Sequence, residues 1–135
     1  MKAVVLVGGF GTRLRPLTLT TPKQMLPVID TTMLEHVIGG LDTHGVDEVV
    51  LSLGYKEDVF REAYPDGECA GVPLTYAVEP EPLDTAGAVR FAAEWAGIDE
   101  TFIVVNGDVF TDLDVTAVWN RHHEVGAEGT IALTP

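Results

Sequence analysis

The chain has 135 residues, 46% of them hydrophobic, and a formal net charge of −13. That length suits one hydrophobic core with no room for two, and the aliphatic content is too high for a disordered chain. So acidic a chain does not hold nucleic acid through its overall field, and no run approaches the roughly 18 apolar residues of a membrane span, so a soluble, cytoplasmic protein with neither partner is expected.

The first predicted element is a continuous apolar strand over residues 2–7. Its apolar run, Ala3 to Val7, is too short for a targeting segment. A glycine- and proline-rich loop follows, and then a helix over 32–44 with a capping box, Thr32 and Glu35, an apolar stripe of Met33, Leu34, Val37, Ile38 and Leu41, and a stop at Gly45. Strands over 48–53, 74–78, 101–106 and 130–134 alternate with a short helix over 56–64, an alanine-rich helix capped by Asp84 or Thr85 and ending near Gly97, and a helix over 114–124. That last helix carries Val115, Val118, Trp119 and His122 on one side, with Gly126 after it. Strands apolar on both faces and alternating with helices predict an α/β fold, a Rossmann-like doubly wound and mainly parallel sheet with helices on both faces. The expected strand order is 3-2-1-4-5, and in such sheets the ligand crevice lies beyond the carboxyl ends of the strands where the order reverses. The loops after Val7 and Asn106, "GGFGTR" and "NGDVFTD", would then face each other.

Charge singles out the first of these loops. Residues 1–29 hold Lys2, Arg13, Arg15 and Lys23 and no acidic residue, +4 locally against −17 on the rest of the chain. Gly8, Gly9 and Gly11 let main-chain N–H groups approach a ligand with no Cβ in the way, which makes an anion-binding concavity that Arg13 and Lys23 can neutralise. A Walker A loop is absent. The dinucleotide fingerprint stops at Leu14, and Pro16, Pro22 and Pro27 forbid the continuous helix that should follow it. Other residues read as structural: the lone Cys69, in the turn-like "PDGECAG", is a bystander thiol, adjacent His122 and His123 point apart on a helix, and Trp95 and Trp119 belong to a core or an interface. Asp112 and Asp114 read as loop and helix-cap residues.

The full string "GGFGTRLRPLTLTTPKQMLPV" resembles the signature of the sugar-1-phosphate nucleotidyltransferases, the NDP-sugar pyrophosphorylases, in which Gly-Gly-x-Gly-Thr-Arg-Leu-x-Pro-Leu-Thr precedes Pro-Lys. "EPEPLDTAGAVRFAAE" looks like the base-recognition segment of that family and "VVNGDVFTDLD" like its metal-aspartate strand end, so the resemblance runs the length of the chain. It implies transfer of a nucleotidyl group from a nucleoside triphosphate to a sugar 1-phosphate, with pyrophosphate released. By that likeness Leu6, Gly8, Gly9, Gly11, Thr12, Arg13 and Lys23 would bind the nucleotide, Arg13 and Lys23 gripping the triphosphate as the catalytic pair. Glu79, at a position whose side chain meets the edge of the base, and Asp84, Thr85 and Gly87 would also bind the nucleotide, and Asp108 would hold Mg²⁺.

Base choice rests on chemistry as well as likeness. A carboxylate only accepts hydrogen bonds, and guanine presents N1–H and N2–H₂ side by side, so Glu79 favours GTP, with mannose 1-phosphate as the commonest family partner of that nucleotide. Thymidylyl or uridylyl transfer is the nearest variant, and a nucleotide-sugar sensor or an inactive fragment are the alternatives of other classes. Asp84 stands where the family usually has glycine, and would either cap the following helix or crowd the ribose. Because the family continues well beyond such a segment, residues 1–135 read as the nucleotide-binding N-terminal portion of a nucleotidyltransferase domain, incomplete without its sugar-phosphate-binding portion and inactive alone. A homo-oligomer is left open.

Overall fold

The computed structural model describes residues 1–9, 11–54 and 56–133. Its sheet grows from β1 (Lys2–Leu6), whose residues Ala3, Val4 and Val5 are fully buried. A two-residue pair, β2 (Pro27–Val28) and β3 (Thr31–Thr32), forms an antiparallel hairpin ahead of α1 (Met33–Asp42). The chain then runs through β4 (Glu48–Leu53), α2 (Glu57–Ala63), β5 (Glu68–Cys69), β6 (Val72–Val78), α3 (Asp84–Trp95), β7 (Ile103–Asn106) and α4 (Val115–Val125). Strand order across the sheet is β5-β6-β4-β1-β7, with β6, β4, β1 and β7 mutually parallel and β5 antiparallel at the edge.

Sheet alternation explains the two cores. Ala3, Val5 and Val7 of the first strand and its extension, with Val49, Leu51 and Leu53 of β4, face α1 and α2 and pack with Leu34, Ile38, Leu41 and Phe60. Val4 and Val50 face the other way, against Ala92 of α3, with Phe91, Ala96, Ile98 and Phe102 around them. This is the doubly wound arrangement, and the parallel strands stand in the expected order 3-2-1-4. No helix of the described residues is long and apolar enough to cross a membrane.

The fifth expected strand, over 130–134, does not form across the described residues 130–133, and Thr134 lies outside them. Ile131 and Leu133 are 83% and 85% exposed, and a β-propensity run with no ladder partner has nothing to hold it extended. Other corrections are local. Neither Asp84 nor Thr85 caps α3, whose N-cap is Leu83 with no side-chain cap bond. Trp95 is 62% exposed and lies against Phe91, so it is not core, and Trp119 is half-buried with its ring edge-on to His123. Cys69 sits in β5 and is buried, where desolvation pushes its thiol up to about 11 and suppresses the reactive thiolate.

The caps of α1 and α4 form as expected. The Glu35 N–H donates to Thr32 Oγ1 at 3.2 Å and the Thr32 N–H donates to Glu35 Oε2 at 2.6 Å. Asp114 caps α4 by accepting from the Ala117 N–H at 2.9 Å. Replacing Thr32 by alanine is expected to cost about 1 kcal/mol of stability in urea unfolding, since it strips one partner from an N-terminal N–H. A Thr32→Ala chain unfolding at the wild-type midpoint would contradict that reading.

Candidate nucleotide-binding site

At the carboxyl ends of β1, β4 and β7 the sheet opens into a cavity of about 530 Å³. Its walls come from Leu6 at the end of β1 with Gly8 and Gly9 beyond it, Ser52 and Gly54 at the end of β4, Glu79 after β6, Leu83 to Thr85 at the head of α3, and Asn106 at the end of β7 with Asp108 beyond it. A smaller recess of about 260 Å³ adjoins it through Gly8, Gly9, Gln24 and Asp108, and is completed by Gly11, Thr12, Arg13, Leu14 and Lys23. The two loops expected to face each other therefore do so, at the switch point between β4-β1 and β1-β7.

The recess is built by turns. After Gly9 the chain passes into a single 3-10 turn, Thr12–Leu14, and later a second, Lys23–Met25, in place of the long helix of a dinucleotide loop. Gly11 adopts φ 57, a left-handed conformation that glycine enters without strain. Thr18, only 4% exposed, donates its hydroxyl to the Gly11 carbonyl at 2.6 Å and packs so tightly that a Cβ on Gly11 would meet Thr18 Cγ2 at 2.9 Å. Arg13 is exposed on this turn and makes no hydrogen bond or ion pair among the described residues. An unpaired guanidinium beside glycine amides has the donors that an anion would need.

Lys23 and Asp108, 85 residues apart, meet across the recess, Nζ donating to Asp108 Oδ2 at 2.5 Å. Asp108 reaches that position because β7 ends on Asn106 and the next residue, Gly107, still donates its N–H to the Leu6 carbonyl at 2.9 Å. No side chain fits at Gly107: a Cβ there would lie 2.7 Å from Val7 Cγ1 and 3.2 Å from Val5 Cγ1. The strand end thus presses directly against β1, and the next side chain, Asp108, is delivered into the recess.

Glu79 lies in the larger cavity, and its carboxylate is already engaged. Ser52 Oγ donates to Oε1 at 3.3 Å and the Leu83 N–H donates to Oε2 at 3.1 Å, which ties the turn ahead of α3 to β4. A carboxylate offers about four acceptor positions, so two remain for a ligand. Asp84 lines the same cavity with φ 55, so it stands in the left-handed region that glycine favours and that aspartate tolerates. The departure from the usual glycine keeps the backbone conformation that glycine would supply. Thr85 also lines the cavity, whereas Gly87 does not. A Cβ on Gly87 would meet Leu83 Cβ at 2.8 Å, so that glycine acts by letting the turn fold onto α3.

Two residues at the site escaped the sequence reading. Gln24 is 4% exposed, lines both spaces, and its Oε1 has no hydrogen-bond partner among the described residues. An unpaired buried acceptor costs about 1–3 kcal/mol, which a ligand donor at this wall would recover. Its only signal in the sequence is a place beside Lys23. Ser52, buried within an apolar strand, reads as a tolerated polar residue until its bond to Glu79 is seen.

The site carries amides and an unpaired arginine for anions, a carboxylate for a cation, and acceptors for a base or ribose. The chain is similar to proteins of matching chemistry. It is 42% identical to the mannose-1-phosphate guanyltransferase of Aspergillus oryzae over 136 residues, which covers 99% of the chain but 37% of that relative. The chain therefore spans little more than a third of the length of that relative. Among solved structures, HddC from Yersinia pseudotuberculosis complexed with GMP-PN superposes with a TM-score of 0.76 at 30% identity, covering 94% of this chain and 54% of that one. A putative glucose-1-phosphate thymidylyltransferase from Bacillus anthracis gives 0.77 at 28% identity, covering 92% and 50%. The family model described as nucleotidyl transferase matches residues 2–135. By that match, and with the crevice where such a sheet should place it, the chain belongs to the nucleotidyl transferase family.

Proposed function

We propose that residues 1–135 are the nucleotide-binding portion of a cytoplasmic enzyme that transfers a guanylyl group from GTP to mannose 1-phosphate, giving GDP-mannose and pyrophosphate. One observation carries the reading: a strongly acidic chain opens, at its switch point, two adjoining spaces that join glycine amides and an unpaired Arg13 to the carboxylates of Glu79 and Asp108. The 42% identity with a guanyltransferase supports the choice of base and sugar.

In the reaction the phosphate oxygen of the sugar 1-phosphate bonds to the α-phosphorus while the α–β anhydride bond breaks, so charge builds on oxygens and catalysis is positioning and electrostatics. The amides of Gly8, Gly9 and Gly11 would cradle the phosphates. Arg13 would take the β- and γ-phosphates through its planar fork, with Lys23 as a movable point charge. Glu79, braced by Ser52 and the Leu83 N–H, would accept from guanine N1–H and N2–H₂ with its remaining lone pairs. Among the described residues no cluster of three metal-ligating side chains forms, and Asp108 is the one carboxylate of the recess, which fits Mg²⁺ only in company with phosphate oxygens and waters, as that ion is commonly held. Mg²⁺ held by Asp108 would neutralise charge on the phosphate oxygens.

Calorimetry on this chain tests the base assignment. GTP is expected to bind at least about tenfold more tightly than UTP or dTTP, the equivalent of one hydrogen bond to a charged acceptor, and Glu79→Gln should erode the margin by offering guanine a donor. Equal affinities for the three nucleotides would remove the base assignment.

A further inference from the structure

The Lys23–Asp108 pair places a cation on the very carboxylate assigned to the metal. Lys23 Nζ rests on Asp108 Oδ2 at 2.5 Å, and the same lysine lines the recess with Gly8, Gly9, Gly11 and Arg13. Both side chains are only partly buried, at 33% and 27% exposure, and a lysine reaches on a flexible four-carbon stem. The ammonium therefore has two partners within one recess, the carboxylate and any phosphate held by the glycine loop.

We propose that Lys23 is an exchangeable counter-ion: without nucleotide it neutralises Asp108 and shuts out a divalent cation, and an arriving triphosphate draws it to phosphate oxygens and so frees Asp108. This deepens the proposed function and rests on its reading of Asp108 as the metal carboxylate. Nucleotide and divalent cation would then be positively coupled through this chain, beyond the affinity they have for each other in solution, and the coupling is reciprocal. The pair also keeps the carboxylate from standing uncompensated in the recess.

Electron paramagnetic resonance titration of Mn²⁺ into the nucleotide-free chain reads this directly. Lys23→Met, and Lys23→Gln as a second variant, are expected to bind Mn²⁺ about tenfold or more tightly than wild type, because a charge in contact with the carboxylate is removed. Arg13→Met, which deletes the same charge from the same recess without touching Asp108, should change Mn²⁺ affinity far less. Adding Asp108→Asn to Lys23→Met should return binding to the weak wild-type level. Unchanged or weaker Mn²⁺ binding in both lysine variants would overturn the exchange, as would an equal gain in Arg13→Met. The reading of Asp108 would survive that failure if Asp108→Asn still removed Mn²⁺ from the GTP complex of the wild-type chain. If Asp108→Asn left the tightened binding of Lys23→Met intact, the exchange and the metal assignment would fall together.

Discussion

Arg13→Ala is expected to weaken nucleotide binding by about 1.5–3 kcal/mol while leaving the fold as stable as before. The magnitude is that of a hydrogen bond to a charged group, and the pairing of the two effects follows from the structure. Arg13 is exposed, stands on a turn fixed by Thr18 and Gly11 rather than by its own side chain, and has no partner among the described residues to lose. Its guanidinium therefore has no structural task among the described residues. Calorimetry with GTP and thermal unfolding of the same variant separate the two quantities. Full affinity in Arg13→Ala would remove the anion-receptor role, and a large loss of stability would mean that the side chain has a structural task instead.

Gly107→Val is expected to lower the unfolding free energy by about 3 kcal/mol or more, the high end of overpacking costs. A Cβ alone would already lie 2.7 Å from Val7 Cγ1, 3.2 Å from Val5 Cγ1 and 3.3 Å from Gln24 Cγ, and valine adds two methyls to that collision. Val5 of β1 and Val7 just beyond it are core residues, so the strain cannot be relieved by a surface side chain swinging away. Relief must come from moving the end of β7 outward, which carries Asp108 from the recess. Stability in urea and Mn²⁺ uptake by the GTP complex should therefore fall together in this variant. A loss below about 1 kcal/mol would show that β7 and β1 part more easily than this packing implies.

The strands, their parallel order and the facing of the two loops were legible in the sequence because they depend on signals that are local or topological. Apolar runs such as 48–53 mark strands, Thr32 with Glu35 marks a helix start, and the switch-point rule brings residues 8–13 to Asp108 across 95 or so intervening positions without a contact being known. The missing fifth strand marks the limit of that reasoning. Propensity over 130–134 says what the segment prefers, whereas a strand needs a partner in place. Of the two roles expected for Asp84, the cap fails for a related reason: the residue's place is set by a backbone φ of 55 that no residue pattern reports. Glu79 was rightly brought to the cavity, but its bonds to Ser52 and the Leu83 N–H depend on how β4 and the turn before α3 meet in space. Gln24 was missed because one amide beside Lys23 looks like any other polar residue until its burial and its unpaired Oε1 are seen.

The central claim is that GTP enters the crevice between the glycine loop and the end of β7. Amide chemical-shift mapping by NMR as GTP and Mg²⁺ are added to the isotope-labelled chain tests it most directly. The account predicts that the largest shifts fall on Leu6, Gly8, Gly9, Gly11 to Arg13 and Gln24, on Glu79 and Leu83 to Thr85, and on Asn106 to Asp108, with α4 unmoved. Shifts centred on Trp119, His122 and Thr130, which line a separate cavity of about 540 Å³ beside β7, would contradict it.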